Sequence, residues 1–191
     1  FNNLDLIARA AGFGAVGSGV LFSILMMLVF KLVGIPRSYY AVFVLEHKYG
    51  FNRTTLKTFV ADIFKGFALS AVLGGIALAG LIWFFGTFGQ YAWLYAWAGV
   101  TVFQLAVAYI APVLIMPLFN KYVPLSVGEL KAEIEGYAVR QEFKMKGVFT
   151  MDGSRRSTKS NAFFTGFGRF RRIVLFDTLI AAMSVREIVS V

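Results

Sequence analysis

Charged positions are sparse in the first two thirds of the chain, and the gaps between them set its architecture. From residue 15 to 34 every position is apolar or small except Lys31. Twenty such residues at ~1.5 Å rise reach across about 30 Å of hydrocarbon, so the pattern predicts a transmembrane helix. Lys31 lies near one end, where its stem can carry the ammonium to the interface. Gly34-Ile35-Pro36 is expected to end that helix. Between Lys65 and Lys121 no residue carries a charge, a run of 55 positions that must fold back on itself. Gly86-Thr-Phe-Gly-Gln90 is the expected turn, giving spans near 66–85 and 91–116 with Trp83, Phe84, Tyr91 and Trp93 at the interface. Gly66, Ser70 and Gly74, with Ala71, Gly75 and Ala79, recur at spacings of four and predict a face for close helix packing.

The pattern changes after residue 117. Ser126…Glu129 has capping-box spacing, and Leu130, Ile134 and Ala138 supply a stripe for a helix over 127–142. Residues 147–152 read as a strand. Two β-prone runs, 162–167 and 173–176, flank a Gly168-Arg169-Phe170 link and read as a β-hairpin over 160–176. Its Ser-Asn-Ala-Phe-Phe-Thr-Gly start is unusual, since Asn and Gly are depleted from strand interiors. Such an Asn suggests an edge whose amide serves something besides packing. Ser184…Glu187 repeats the capping-box spacing ahead of Ile188 and Val189, and Asp177 is expected to cap a helix rather than to act as a catalytic carboxylate.

Composition supports this division. The chain has 191 residues, 58% hydrophobic and only 15% charged, which is membrane-like. It divides into residues 1–120, with the spans and a charged loop 37–65, and residues 121–191. The net charge of +9 suits loops facing anionic lipid better than nucleic acid, which is not expected as a partner. Loop 37–65 carries Arg37, Lys48, Arg53, Lys57 and Lys65, the turn near 88 carries none, and the tail from 118 carries twelve Lys or Arg. With three spans, the loop and tail share a side, and the positive-inside rule makes it cytoplasmic. There are no cysteines, which excludes disulfides, Cys-ligated zinc and thiol catalysis among these residues. The chain opens on Phe1 with no signal-peptide pattern and is expected to be an excerpt of a longer protein. Its single histidine, His47, reads as structural.

Several blocks together resemble the type I integral-membrane CAAX prenyl proteases, zinc metalloendopeptidases that cleave prenylated C-termini. The matching residues are Gly34-Ile-Pro-Arg-Ser-Tyr-Tyr40, then Phe43-Val-Leu-Glu-His-Lys-Tyr-Gly-Phe-Asn-Arg-Thr-Thr55. Ala111-Pro-Val113 and Pro117-Leu-Phe-Asn-Lys-Tyr-Val-Pro-Leu125 follow. The most specific are Gly153-Ser-Arg-Arg-Ser157, Ser160-Asn-Ala-Phe-Phe-Thr-Gly166 and Arg172-Ile-Val-Leu-Phe-Asp-Thr-Leu179.

The resemblance implies an α-helical multi-pass membrane protein followed by the α+β cytoplasmic portion of a thermolysin-like zinc protease domain. It implies seven spans around a chamber, of which three would lie here. One zinc ion is implied, with ligands outside this chain: the family's His-Glu-x-x-His is expected just beyond Val191, with a further Glu later. These 191 residues are therefore expected to hold no catalytic and no metal-ligating residue and to be inactive alone. What they would supply is the substrate side, with Asn161 orienting an extended peptide through its carboxamide and Ala162 through its main chain. A structural Asn that caps or kinks the strand is the other reading. Arg155, Arg156 and Lys159 are candidates for contact with a substrate carboxylate or with lipid phosphate. The implied partners are the bilayer, an extended and prenylated peptide, and the remainder of the same protein. The implied membrane is the bacterial inner membrane or the endoplasmic reticulum. A non-catalytic scaffold or chaperone-like module that grips extended peptides is the alternative function.

Overall fold

A computed structural model describes residues 1–166 and 171–190. A short helix, α1 (Asn2–Ala10), opens the chain and carries the i,i+4 pair Asp5–Arg9 at 2.8 Å. Three long helices follow: α2 (Gly14–Tyr39), α3 (Leu56–Thr87) and α4 (Ala92–Ile110). With the turns that extend them they give three segments of 33, 32 and 31 residues, each long and apolar enough to cross a membrane.

All three are longer than the sequence suggests. Pro36 lies inside α2, which runs on into π-helical turns at Tyr40–Glu46. The expected stop at Gly34-Ile35-Pro36 does not occur. A proline removes one amide donor, but in lipid the other backbone groups have no partner except the helix itself, so the helix persists. Pro112 and Pro117 behave alike: α4 passes through π-helical turns at Ala111–Ile115 into α5 (Met116–Phe119). The turn between α3 and α4 falls where expected, with Gly89 at φ 51.

Two compact units result, Phe1–Ala41 with Lys57–Val107, and Val42–Leu56 with Ala108–Val191. In the first, α2 meets α3 at two glycines. A Cβ on Gly75 would lie 3.5 Å from Val20, and one on Gly19 would lie 2.6 Å from Ile82 Cδ1. The series Ala71, Gly75, Ala79 thus includes a packing contact, whereas a Cβ on Gly66 or Gly74 would have open space.

The second unit is built on a four-stranded sheet: β1 (Tyr122–Pro124), β2 (Gly147–Met151), β3 (Ala162–Thr165) and β4 (Arg172–Phe176). The order is β1-β2-β4-β3. β2 and β4 pair in parallel at the centre, and β1 and β3 add antiparallel on either side. β3 and β4 form the expected antiparallel pair, while the link at 168–170 lies outside the described residues.

Helices α6 (Glu129–Arg140), α7 (Asp177–Ala182) and α8 (Val185–Ser190) complete the unit. Leu125, Ile134, Val148, Leu175, Leu179 and Ile188 form its buried core. The second capping box forms: the Ser184 amide and hydroxyl both donate to Glu187 Oε2 at 2.7 Å. The first does not, because the Leu125 amide is pinned to the Val148 carbonyl at 2.9 Å and the chain enters α6 through an extended Gly128.

Candidate functional site

β3 is an edge strand, and its polarity follows from one hydrogen bond. The Phe176 amide donates to the Asn161 carbonyl at 3.0 Å, one step beyond the register Ala162↔Leu175. Antiparallel pairs alternate between exchanging both hydrogen bonds and exchanging none. Asn161, Phe163 and Thr165 therefore turn their peptide groups toward β4, and Ala162 and Phe164 turn theirs outward. Among the described residues no other strand pairs with that edge.

Asn161 lies at the head of this edge with an exposed side chain. Its Oδ1 accepts the Ala162 amide at 2.9 Å, which pins the carboxamide and leaves its NH2 free to donate. The edge thus offers, in order, a carboxamide donor from Asn161, an acceptor at Ala162 and a donor and acceptor at Phe164. Sequence reading placed Asn161 and Ala162 here but missed Phe164, which strand parity alone could have supplied. Phe164 is 73% exposed and its ring meets Phe143 edge-on at 6.2 Å, whereas Phe163 is half-buried and meets Phe176 edge-on.

The segment before β3 is fastened by the loop after α2. Asn52 bridges Ser157, the Arg53 amide donates to the Arg156 carbonyl at 3.0 Å, and the Thr158 amide donates to the Phe51 carbonyl at 3.1 Å. The Thr54 hydroxyl adds a bond to the Arg156 carbonyl at 3.1 Å, and the Thr158 hydroxyl one to the Gly50 carbonyl at 3.1 Å. On the other side, the Ser154 amide and the Thr178 amide donate to Asp177 Oδ1, each at 2.8 Å, and the Ser154 hydroxyl donates to Oδ2. Asp177 is thus a structural tie at the start of α7. Gly153 is required nearby, since a Cβ there would fall 2.5 Å from the Phe176 ring.

Of the three cations expected to meet substrate or lipid, two have internal partners. The Arg156 guanidinium donates to Asn120 Oδ1 and, at 2.6 Å, to the Phe119 carbonyl. Lys159 Nζ meets Glu46 Oε1 at 2.8 Å and lies 5.0 Å from the Phe51 ring centre. Arg155 is exposed. Burial pushes the Tyr122 phenol up, although a hydrogen bond with Asn120 works the other way. The Glu187 carboxyl is held below its ordinary value by the Ser184 amide and hydroxyl.

Two cavities border the strand. An apolar one of about 330 Å³ lies among α6, α8 and β3, lined by Ile134, Tyr137, Phe163 and Ile188 among others. A more polar one of about 460 Å³ is bordered by Arg53, Ser154, Thr158, Ser160, Asp177 and Thr178. Among the described residues, no group of three His, Cys, Asp or Glu comes together in a way that could hold a metal, and His47 is exposed. These residues therefore do not fit a zinc ion.

Three apolar segments long enough for a bilayer, joined to an α+β unit whose β3 edge is unpaired among the described residues, define a multi-pass membrane protein. A family described as CAAX prenyl protease N-terminal, five membrane helices, matches residues 2–121, and peptidase family M48 matches residues 124–191. The chain belongs to this family of membrane peptidases. It is 38% identical over 98% of its length to a probable CAAX prenyl protease 1 of Schizosaccharomyces pombe, covering 40% of that protein. It is 41% identical over 99% of its length to CAAX prenyl protease 1 of Saccharomyces cerevisiae, covering 42%. A human CAAX prenyl protease 1 homolog matches at 39% identity, with 92% of this chain and 38% of that one covered. In structure it is similar to the crystal structure of S. mikatae Ste24p, with TM-score 0.91 and 40% identity over 98% of this chain and 46% of that one. The chain thus spans about 40% of the length of the curated relatives it matches.

Proposed function

We propose that this chain supplies the spans and the substrate strand of a membrane-embedded zinc metalloendopeptidase, which cleaves near the C-terminus of prenylated or membrane-associated proteins. The observation that carries this reading is the outward-facing edge of β3, headed by a pinned Asn161 carboxamide. An extended peptide adding to that edge would receive the Asn161 NH2 on a carbonyl. It would bond the Ala162 carbonyl and both peptide groups of Phe164 as a further strand. The ligands of the zinc in the whole protein would lie outside the described residues. The positive residues of 37–65 and of the tail support a cytoplasmic catalytic side. The fungal and human relatives favour the endoplasmic reticulum over a bacterial inner membrane.

The test uses the full-length protein. It should carry one zinc per chain and cut a prenylated C-terminal peptide, with the activity lost to a chelator; absence of both zinc and cleavage would leave a peptide-gripping scaffold. Asn161→Asp keeps the acceptor for the Ala162 amide but removes the outward donor. It should lower kcat/KM about tenfold or more, since one lost hydrogen bond is worth ~1 kcal/mol and a facing carboxylate adds repulsion. Zinc content should not change. Unaltered kcat/KM would return Asn161 to a structural role.

A further inference from the structure

We propose that the polar cavity beside the head of β3 holds the C-terminal carboxylate of the bound peptide, with the Arg53 guanidinium as its cation and the Ser160 hydroxyl as its second donor. This rests on β3 being the substrate strand. A peptide that adds antiparallel to β3 runs from Phe164 toward Asn161, so its C-terminal end emerges at Ser160. Ser160 and Arg53 both line that cavity, whose volume of about 460 Å³ is enough for a terminal residue.

Among the described residues Arg53 is the one cation bordering the cavity, which the exposed Arg155 does not line. Arg156 is held by Asn120 and Phe119, and Lys159 by Glu46. The Thr158 hydroxyl donates to Gly50, the Thr178 hydroxyl to Lys159, and the Ser154 hydroxyl to Asp177. Asp177 is the one acid bordering the cavity, and both its oxygens already accept hydrogen bonds from Ser154 and Thr178. Arg53 uses only its main-chain amide, and among the described residues its guanidinium has no ion-pair partner. Its backbone is not loose. The Asn52–Ser157 bridge and the Thr54 amide on Asn52 Oδ1 at 2.7 Å hold it from both sides. Arg53 is itself exposed, and its planar guanidinium suits a carboxylate, which it can meet with two parallel hydrogen bonds.

The experiment compares one peptide as the C-terminal acid and as the C-terminal amide, on the full-length zinc-loaded protein in nanodiscs of zwitterionic lipid. The acid should show a KM about ten- to a hundredfold below that of the amide, with similar kcat, as expected for one charge-assisted pair. Arg53→Gln should raise KM for the acid, leave the amide unchanged and leave the melting temperature unchanged; Arg53→Lys should restore part of the difference. Equal KM for acid and amide on the unaltered protein would overturn the proposal, as would equal loss for both peptides in Arg53→Gln. An Arg53-dependent affinity for anionic lipid without any acid–amide difference would reassign the cavity to a headgroup phosphate. Cleavage of neither peptide would remove the reading of β3 itself, an outcome distinct from loss of this subsite alone.

Discussion

The two units of this chain solve opposite problems. In the membrane unit no residue of α2 is buried, and large apolar side chains such as Val72, Ile76 and Trp97 are exposed. In the sheet unit Val174 is 1% exposed, and Leu175, Leu179 and Val148 are nearly as enclosed. Hydrophobic residues serve in both, but in the first they match a lipid solvent and in the second they escape an aqueous one. The same residue types therefore carry different sensitivities to change.

The largest contrast should appear on placing a charge in each. Val174→Asp in the full-length protein should abolish folding of the sheet unit, a loss above about 4 kcal/mol, because the carboxylate has no partner in a packed core. Ile76→Asp should cost about 3 kcal/mol of membrane insertion and leave the sheet resistant to limited proteolysis. Equal resistance in both variants would erase the distinction. Next comes Arg156→Ala, which removes the bonds to Asn120 and Phe119 and should lower stability by about 2–3 kcal/mol in chemical denaturation. Arg156→Lys should recover little, since an ammonium lacks the planar fork.

Glycines sharpen the comparison further. Gly153→Ala drives a methyl to 2.5 Å from an aromatic ring and should cost about 2 kcal/mol by thermal melting. Gly19→Ala meets only the far end of the Ile82 side chain, which can swing away, and should cost under about 1 kcal/mol. The smallest effect belongs to the exposed Glu187. Its carboxyl titrates below the ordinary glutamate range, so its stabilisation is present above that range and disappears as pH falls through the lowered value. Glu187→Gln should flatten the melting-temperature profile only at that acid end.

What could be read from sequence follows the same division. Charge-free runs located the spans, because lipid demands composition rather than particular partners. The end of the first was misplaced, because Pro36 stops a helix in water but not where the backbone has no alternative partner. The β3–β4 pair was legible from two β-prone runs. The parallel β2–β4 pairing and the Pro124-containing strand β1 were not, since long-range register leaves no local mark. At the candidate site Asn161 stood out because it broke strand propensity. Arg53 did not, since nothing near it in sequence shows that Asn52 pairs with Ser157 a hundred residues later.

The strand order carries one more consequence, for synthesis rather than catalysis. β1 and β2 can pair as soon as both have left the ribosome, but among the described residues β3 pairs only with β4, which is made after it. The phenylalanine-rich segment 162–165 therefore emerges with neither edge satisfied and waits for residues 172–176. During that interval it is the part of the nascent chain most open to wrong strand pairing. A ribosome stalled further on, with β3 outside the exit tunnel and β4 still within it, should expose a protease-sensitive, chaperone-binding segment that closes once β4 emerges.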